Sequence, residues 1–89
     1  MKVIMEETEL ITRAVDGDLD AFNQLVLQHQ EVAYNVAYRI MADENAAADA
    51  TQEAVISMYR KLDTYRGGSF KSWFLRIVAN SCYGEFRRQ

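Results

Sequence analysis

The 89-residue chain contains no proline and only four glycines, at 17, 67, 68 and 84. Proline and glycine end helices and build the turns that β structure needs. A chain so poor in both has few places to fold back, which predicts a small number of long helices. The fold class that follows is all-α, a compact bundle of about four helices. The length fits one domain, 1–89. With 49% hydrophobic residues, that domain can close over one core without staples.

Cysteine usage narrows the class further. Cys82 stands alone, which excludes an internal disulfide and a zinc finger or iron–sulfur cluster built within these residues. The expected compartment is a reducing one, the cytoplasm. The longest apolar run is three residues, as in Val3-Ile4-Met5, far short of a membrane span. Glu6 and Glu7 follow that run at once, so no signal-peptide core is present.

The breaks and periodicities place the helices. Residues 1–7 are expected to be flexible. A short first helix runs from Thr8 to about Asp16, with Leu10, Ile11, Ala14 and Val15 inward and Gly17 closing it. Asp18 caps a second helix that reaches about Met41. On it, Phe22, Leu25, Val26, His29, Val32, Ala33, Val36, Ala37 and Ile40 share one stripe. Leu27, Tyr34, Tyr38 and Met41 form a second stripe nearly opposite, which predicts a helix sandwiched on two sides or offered to a partner. Asp43 caps a third helix from Glu44 to about Leu62. Its inward residues are Ala47, Ala50, Thr51, Ala54, Met58 and Leu62, with Val55 alongside, and the small alanines should let the second and third helices approach closely. Asp63 to Gly68 form a loop, Ser69 is a fresh cap, and a fourth helix runs from Phe70 towards Arg88 with Phe70, Phe74, Ile77 and Val78 inward. Gly84 costs about 1 kcal/mol inside a helix and predicts a weak last turn, Glu85 to Gln89.

Charge is distributed along this architecture. The net charge is −3. Residues 1–63 hold twelve acids and five Lys/Arg, a balance of −7, whereas residues 64–89 hold one acid and five Lys/Arg, a balance of +4. A basic final quarter points to phosphate. On the fourth helix, Ser69, Ser72, Trp73, Arg76, Asn80, Tyr83 and Arg87 fall within about 100° of arc and include no carboxylate. Arginine for phosphate or guanine, asparagine for a base edge and aromatic rings for unstacked bases suit DNA. Ordinary polar surface around a partly buried Trp73 is the plainer reading of the same face.

Little in the chain looks catalytic, and no catalysis is expected of it. His29, the sole histidine, lies on an inward stripe and reads as a hydrogen-bonded core residue. There are no Glu-x-x-His pairs for a di-iron site, no second histidine to activate Cys82 and no phosphate-binding Gly-x-x-x-x-Gly-Lys loop. Asp49 and Glu53, four apart, are the one enzyme-like pair. Acids so spaced help hold magnesium in all-helical nucleotide pyrophosphohydrolases, but only with further carboxylates from a second helix. A helical protein-interaction module with no DNA role is the other alternative.

The third helix, loop and fourth helix together carry an ordered set of residues. It runs Asp49-Ala50-Thr51-Gln52-Glu53, then Tyr65-Arg66-Gly67, Phe70 with Trp73-Phe74, Ile77 with Asn80, and Arg87-Arg88. This set resembles conserved region 2 of bacterial RNA polymerase sigma factors, in the form carried by the extracytoplasmic-function group. Asp16-Gly17-Asp18, followed by Ala21-Phe22, is similar to that group's beginning. The resemblance covers about residues 8–89. Its motifs are individually weak and specific in combination.

The resemblance implies a transcription initiation factor domain without cofactors. Residues 8–41 correspond to region 2.1, 43–62 to region 2.2, 63–71 to a region 2.3 loop and 72–89 to the region 2.4 helix. It assigns Asp49, Gln52 and Glu53 to the clamp helices of the core polymerase β′ subunit. That partner is rich in arginine, which fits acids on this side. It assigns Tyr65, Arg66, Ser69 and Lys71 to melting the minus-ten promoter element and capturing a flipped base of the non-template strand. Trp73, Arg76, Asn80, Tyr83, Arg87 and Arg88 fall to minus-ten recognition, with Trp73 bracing the helix rather than entering the base stack. An anti-sigma factor is a further implied partner, for which the second apolar stripe is available. Gly68 and Gly84 depart from the family pattern, where many members carry an acid. The family normally adds a linker and a helix-turn-helix domain, so the resemblance predicts that these residues are a piece of a longer protein.

Overall fold

A computed structural model describes residues 6–88, with the side chain of Arg88 outside the described residues. Four α-helices and one 3-10 turn follow in order: α1 (Glu7–Val15), α2 (Leu19–Met41), α3 (Glu44–Lys61), the 3-10 turn Leu62–Thr64, and α4 (Phe70–Arg88). Among the described residues there is no strand. The expected all-α bundle is the observed one.

Each helix starts and stops for a local reason. The amide of Gly17 donates to Ala14 and that of Asp18 to Arg13, a pairing that closes α1 and requires the left-handed backbone Gly17 adopts at φ 100°. The Asp18 carboxylate then accepts from the Ala21 amide, 3.1 Å, to open α2. Asp43 does the same for α3 through Ala46, 2.8 Å. The Ser69 hydroxyl accepts from the Ser72 amide, 3.1 Å, and opens α4. Each such cap stabilises its helix by about 1 kcal/mol. Helix α4 continues through Gly84 to Arg88, so the last turn predicted as weak is helical as far as it is described.

The core lies where α2, α3 and α4 meet, with α1 laid across α2 and the 3-10 turn. Helices α2 and α3 are the most intimately paired. Ala33 and Ala37 on one, and Ala47, Ala50 and Ala54 on the other, are fully buried, as residues that small permit. Helix α4 fills the remaining space with bulk: Phe70, Phe74, Ile77, Val78 and Cys82. The molecule measures 44 × 29 × 21 Å. Its short dimension is about two helix diameters, so most helices have one face inside and one outside.

Two expectations are corrected. Val15 is 46% exposed rather than inward, because α1 seats itself through Leu10 and Ala14, which are buried, and Val15 is its last residue. Met41, on the second stripe of α2, is buried, which fits the sandwiched alternative at that end of the helix. It ends α2, where a two-residue turn through Ala42 and Asp43 brings α3 back over it. Glu7, expected within a flexible stretch 1–7, opens α1 and bonds to α2, and residues 1–5 lie outside the described residues.

Candidate functional site

The fourth helix divides cleanly. Its buried side chains run along Phe70, Phe74, Ile77, Val78, Ser81 and Cys82. Ser69, Ser72, Arg76, Asn80, Tyr83 and Arg87 are all exposed on the opposite side, and Lys71 is exposed in the first helical turn. Among the described residues, no ion pair holds Lys71, Arg76 or Arg87. From Ser69 to Arg87 the strip runs ~27 Å at 1.5 Å per residue. At the 3.4 Å spacing of a stacked strand, that is room for roughly eight nucleotides.

The loop before the helix is built rather than loose. Gly67 and Gly68 have φ of 100° and 82°, a left-handed path that a side chain at either position would strain. Gly68 thus trades the acid of the resemblance for backbone freedom. The Tyr65 hydroxyl donates to the Gly68 carbonyl, 2.5 Å, and Arg66 donates to the Asp63 carbonyl, 3.0 Å. The Tyr65 ring is half-buried, 5.5 Å from Phe70 and 5.2 Å from Trp73. Trp73 itself lies 5.6 Å from Phe70 and is half-buried. These rings form an aromatic layer that supports the loop from below, each contact adding about 0.5–1.5 kcal/mol. Tyr65 and Trp73 are thus partly covered within this layer, whereas Tyr83 is 52% exposed.

The acidic candidates stand on α3, turned away from its alanine stripe. Asp49 and Gln52 are exposed and Glu53 is half-buried. Gln52 also borders a shallow groove between α2 and α3, lined with Gln30, Glu31, Tyr34, Ala48 and Thr51. Among the described residues, no group of three or more His, Cys, Asp or Glu converges to hold a metal ion.

Sequence reasoning missed several residues here. Ile56 lies three residues after Glu53 on the same outward face, 46% exposed, and Tyr59 beyond it is 50% exposed with its ring edge-on to Phe22 at 4.9 Å. Phe86, 45% exposed, flanks Tyr83. An apolar residue lying off the inward stripe was the available signal. The second stripe of α2 keeps Leu27 and Tyr38 exposed, at 65% and 44%. His29 is half-buried as expected, but its partner comes from α1: Nε2 donates to Glu7 at 2.7 Å. Burial, with the charge of Glu85 adding to it, pushes the Cys82 thiol above its ordinary pKa, so it stays protonated and inert.

Comparison with known proteins decides what this arrangement is. Residues 25–89 match the family described as Sigma-70 region 2. The chain belongs to that family. It is a region 2 domain of the extracytoplasmic-function group. It is 34% identical over 71 residues to the ECF RNA polymerase sigma factor SigE of Mycolicibacterium smegmatis, covering 80% of this chain and 28% of that protein. It is 38% identical over 77 residues to the RNA polymerase sigma-H factor of Pseudomonas aeruginosa, covering 85% of this chain and 40% of that one. The region 2 chain thus spans well under half the length of these curated relatives. An engineered region 2 of sigmaE, solved by NMR in complex with GTAAAA, superposes with a TM-score of 0.91 at 30% identity, over 100% of this chain and 94% of that one. None of the described helices is long and apolar enough to cross a membrane.

Proposed function

We propose that this sigma region 2 domain acts in transcription initiation, joining core RNA polymerase to promoter DNA without performing catalysis itself. The exposed strip of α4 and the 65–69 loop hold the non-template strand of an opened minus-ten element. Arg76 and Arg87 meet phosphate or guanine, Asn80 reads a base edge, and Tyr83 supplies a stacking surface. Arg66, Ser69 and Lys71 line the loop side, where glycine backbone allows an extruded base to approach. Trp73 and Tyr65 brace this surface from beneath. The observation that carries the reading is the 27 Å strip of exposed donors and rings without a carboxylate, on a fold shared with a region 2 solved with GTAAAA.

Asp49, Gln52 and Glu53 form the docking face for the β′ clamp helices, with Ile56 as an apolar anchor among them. A partner rich in arginine explains why acids gather on this helix. The second stripe, Leu27, Tyr34 and Tyr38, is the face open to an anti-sigma factor.

The test is binding of single-stranded minus-ten oligonucleotides, GTAAAA included, by the chain alone and with core polymerase added. Binding that falls as salt rises, and falls again on Arg76→Ala or Asn80→Ala, supports the reading. Polymerase binding without any oligonucleotide contact at this strip would leave only a protein-interaction module.

A further inference from the structure

A chain of contacts begins at the exposed first residue of α1 and ends beneath the DNA-facing loop. Glu7 accepts a hydrogen bond from His29 Nε2 at 2.7 Å, which fixes the proton on that nitrogen because a carboxylate only accepts. The His29 side chain is 12% exposed and that of Glu7 43%. Behind the hydrogen bond, the imidazole lies 5.2 Å from the Phe70 ring and 6.4 Å from that of Phe74. Phe70 is the first residue of α4, directly after the Ser69 cap. Its ring carries Tyr65 at 5.5 Å and Trp73 at 5.6 Å, and the Tyr65 hydroxyl closes on the Gly68 carbonyl.

We propose that Glu7 and His29 are a positioning pair for the 65–69 loop. Glu7 holds the imidazole in one orientation, the imidazole forms the back wall for Phe70, and Phe70 sets the seat of Tyr65. The torsion that turns a histidine ring is broad and nearly two-fold. Without its partner the ring is free to rotate, and the tilted contact with Phe70 loosens. A residue on α1, which makes no contact with the strip itself, then controls how well the loop is shaped for a base. This rests on the DNA role proposed above.

The chain carries its own reporter, since Trp73 is the only tryptophan and sits in the supported layer. Glu7→Ala removes the acceptor, whereas Glu7→Gln keeps an oxygen for the same Nε2–H and removes the charge. Glu7 is exposed enough for either variant to fold, and far-UV circular dichroism establishes a temperature at which both are fully helical. There, Glu7→Ala is expected to shift Trp73 emission, raise its quenching by acrylamide and weaken binding of a single-stranded GTAAAA oligonucleotide by threefold or more. Glu7→Gln is expected to retain wild-type values. Unchanged Trp73 quenching in Glu7→Ala overturns the proposal and leaves the pair a simple tie between α1 and α2. Equal losses in both variants overturn it as well, since charge rather than ring orientation would then be acting. If the wild-type chain binds no oligonucleotide, the DNA reading fails, and Trp73 still decides whether the pair positions the loop.

Discussion

Helices α3 and α4 are near-equal in length, consecutive in the chain and packed on one another, yet they are built on opposite plans. The inner face of α3 is alanine, at 47, 50 and 54, and that of α4 is led by Phe70 and Phe74. Outside, α3 presents Asp49, Gln52 and Glu53, and α4 presents Arg76, Asn80, Tyr83 and Arg87. Alanine loses no side-chain entropy on burial and lets α3 sit close to α2. The rings of α4 occupy volume and extend into the layer under the loop. One core thus serves two surfaces of opposite charge. A change in the core is expected to reach both surfaces, and a change on either outer face to stay where it is made.

The largest effect comes from the core. Phe74→Ala removes a fully buried ring and is expected to cost about 3–5 kcal/mol. Total stability for a domain of this size is only about 5–13 kcal/mol, so urea denaturation should show a large fall in midpoint. Oligonucleotide and polymerase binding should then fail together as temperature rises. Loss of oligonucleotide binding alone would mean that α4 melts as a separate unit.

The next largest effects separate the surfaces. Arg76→Ala or Asn80→Ala is expected to weaken oligonucleotide binding by about 1–3 kcal/mol each and leave polymerase binding alone. The triple change of Asp49, Gln52 and Glu53 to alanine is expected to do the reverse, with circular dichroism unchanged. Competition binding on both ligands checks this, and a shared loss from either set would break the division.

Much of this plan was legible because it is written in local chemistry. Asp18, Asp43 and Ser69 each precede a periodic apolar run, and each accepts the backbone bond that a cap should. The exposed strip of α4 followed from helical spacing alone, and so did the alanine stripe of α3. Some tertiary details were not legible. Met41 is buried by the turn that follows it, and Val15 is exposed by the way α1 lies across α2; a helical wheel contains neither fact. Glu7 and His29 are 22 residues apart, and only the docking of α1 brings them to 2.7 Å. Ile56 was visible as an apolar residue off the inward stripe, but its closeness to the acids needed the same wheel drawn for the outer face.

Caps sharpen the comparison at a smaller scale. Asp43→Ala and Ser69→Ala each remove one bond to a helix N-terminus and are expected to cost about 1 kcal/mol of stability. Ser69 also stands at the junction of loop and strip. Its loss is expected to lower oligonucleotide affinity as well, whereas Asp43→Ala lowers stability only. Thermal melts paired with oligonucleotide titrations separate the two. If Ser69→Ala left affinity untouched, the loop edge would drop out of the binding surface.

The smallest effects lie where α3 begins and where α4 ends, and they invert a familiar preference. Ala42 closes α2 in the left-handed region at φ 55°, where glycine is normally used. Gly84 stands inside α4, where alanine is preferred, and a Cβ there would meet nothing within 4 Å. Left-handed backbone costs a residue with a Cβ about 1–2 kcal/mol, and the added freedom of glycine in the unfolded chain offsets part of the relief. Ala42→Gly is therefore expected to stabilise by about 0.5–1 kcal/mol, and Gly84→Ala by a similar amount. In a domain of this length, each should raise Tm by roughly 2–8 °C, and distant sites should add. Ala42→Gly acts on the acidic half and should leave DNA affinity unchanged. Gly84→Ala stiffens the turn that carries Arg87. If it raises Tm and lowers oligonucleotide affinity together, the end of α4 must bend to follow the strand.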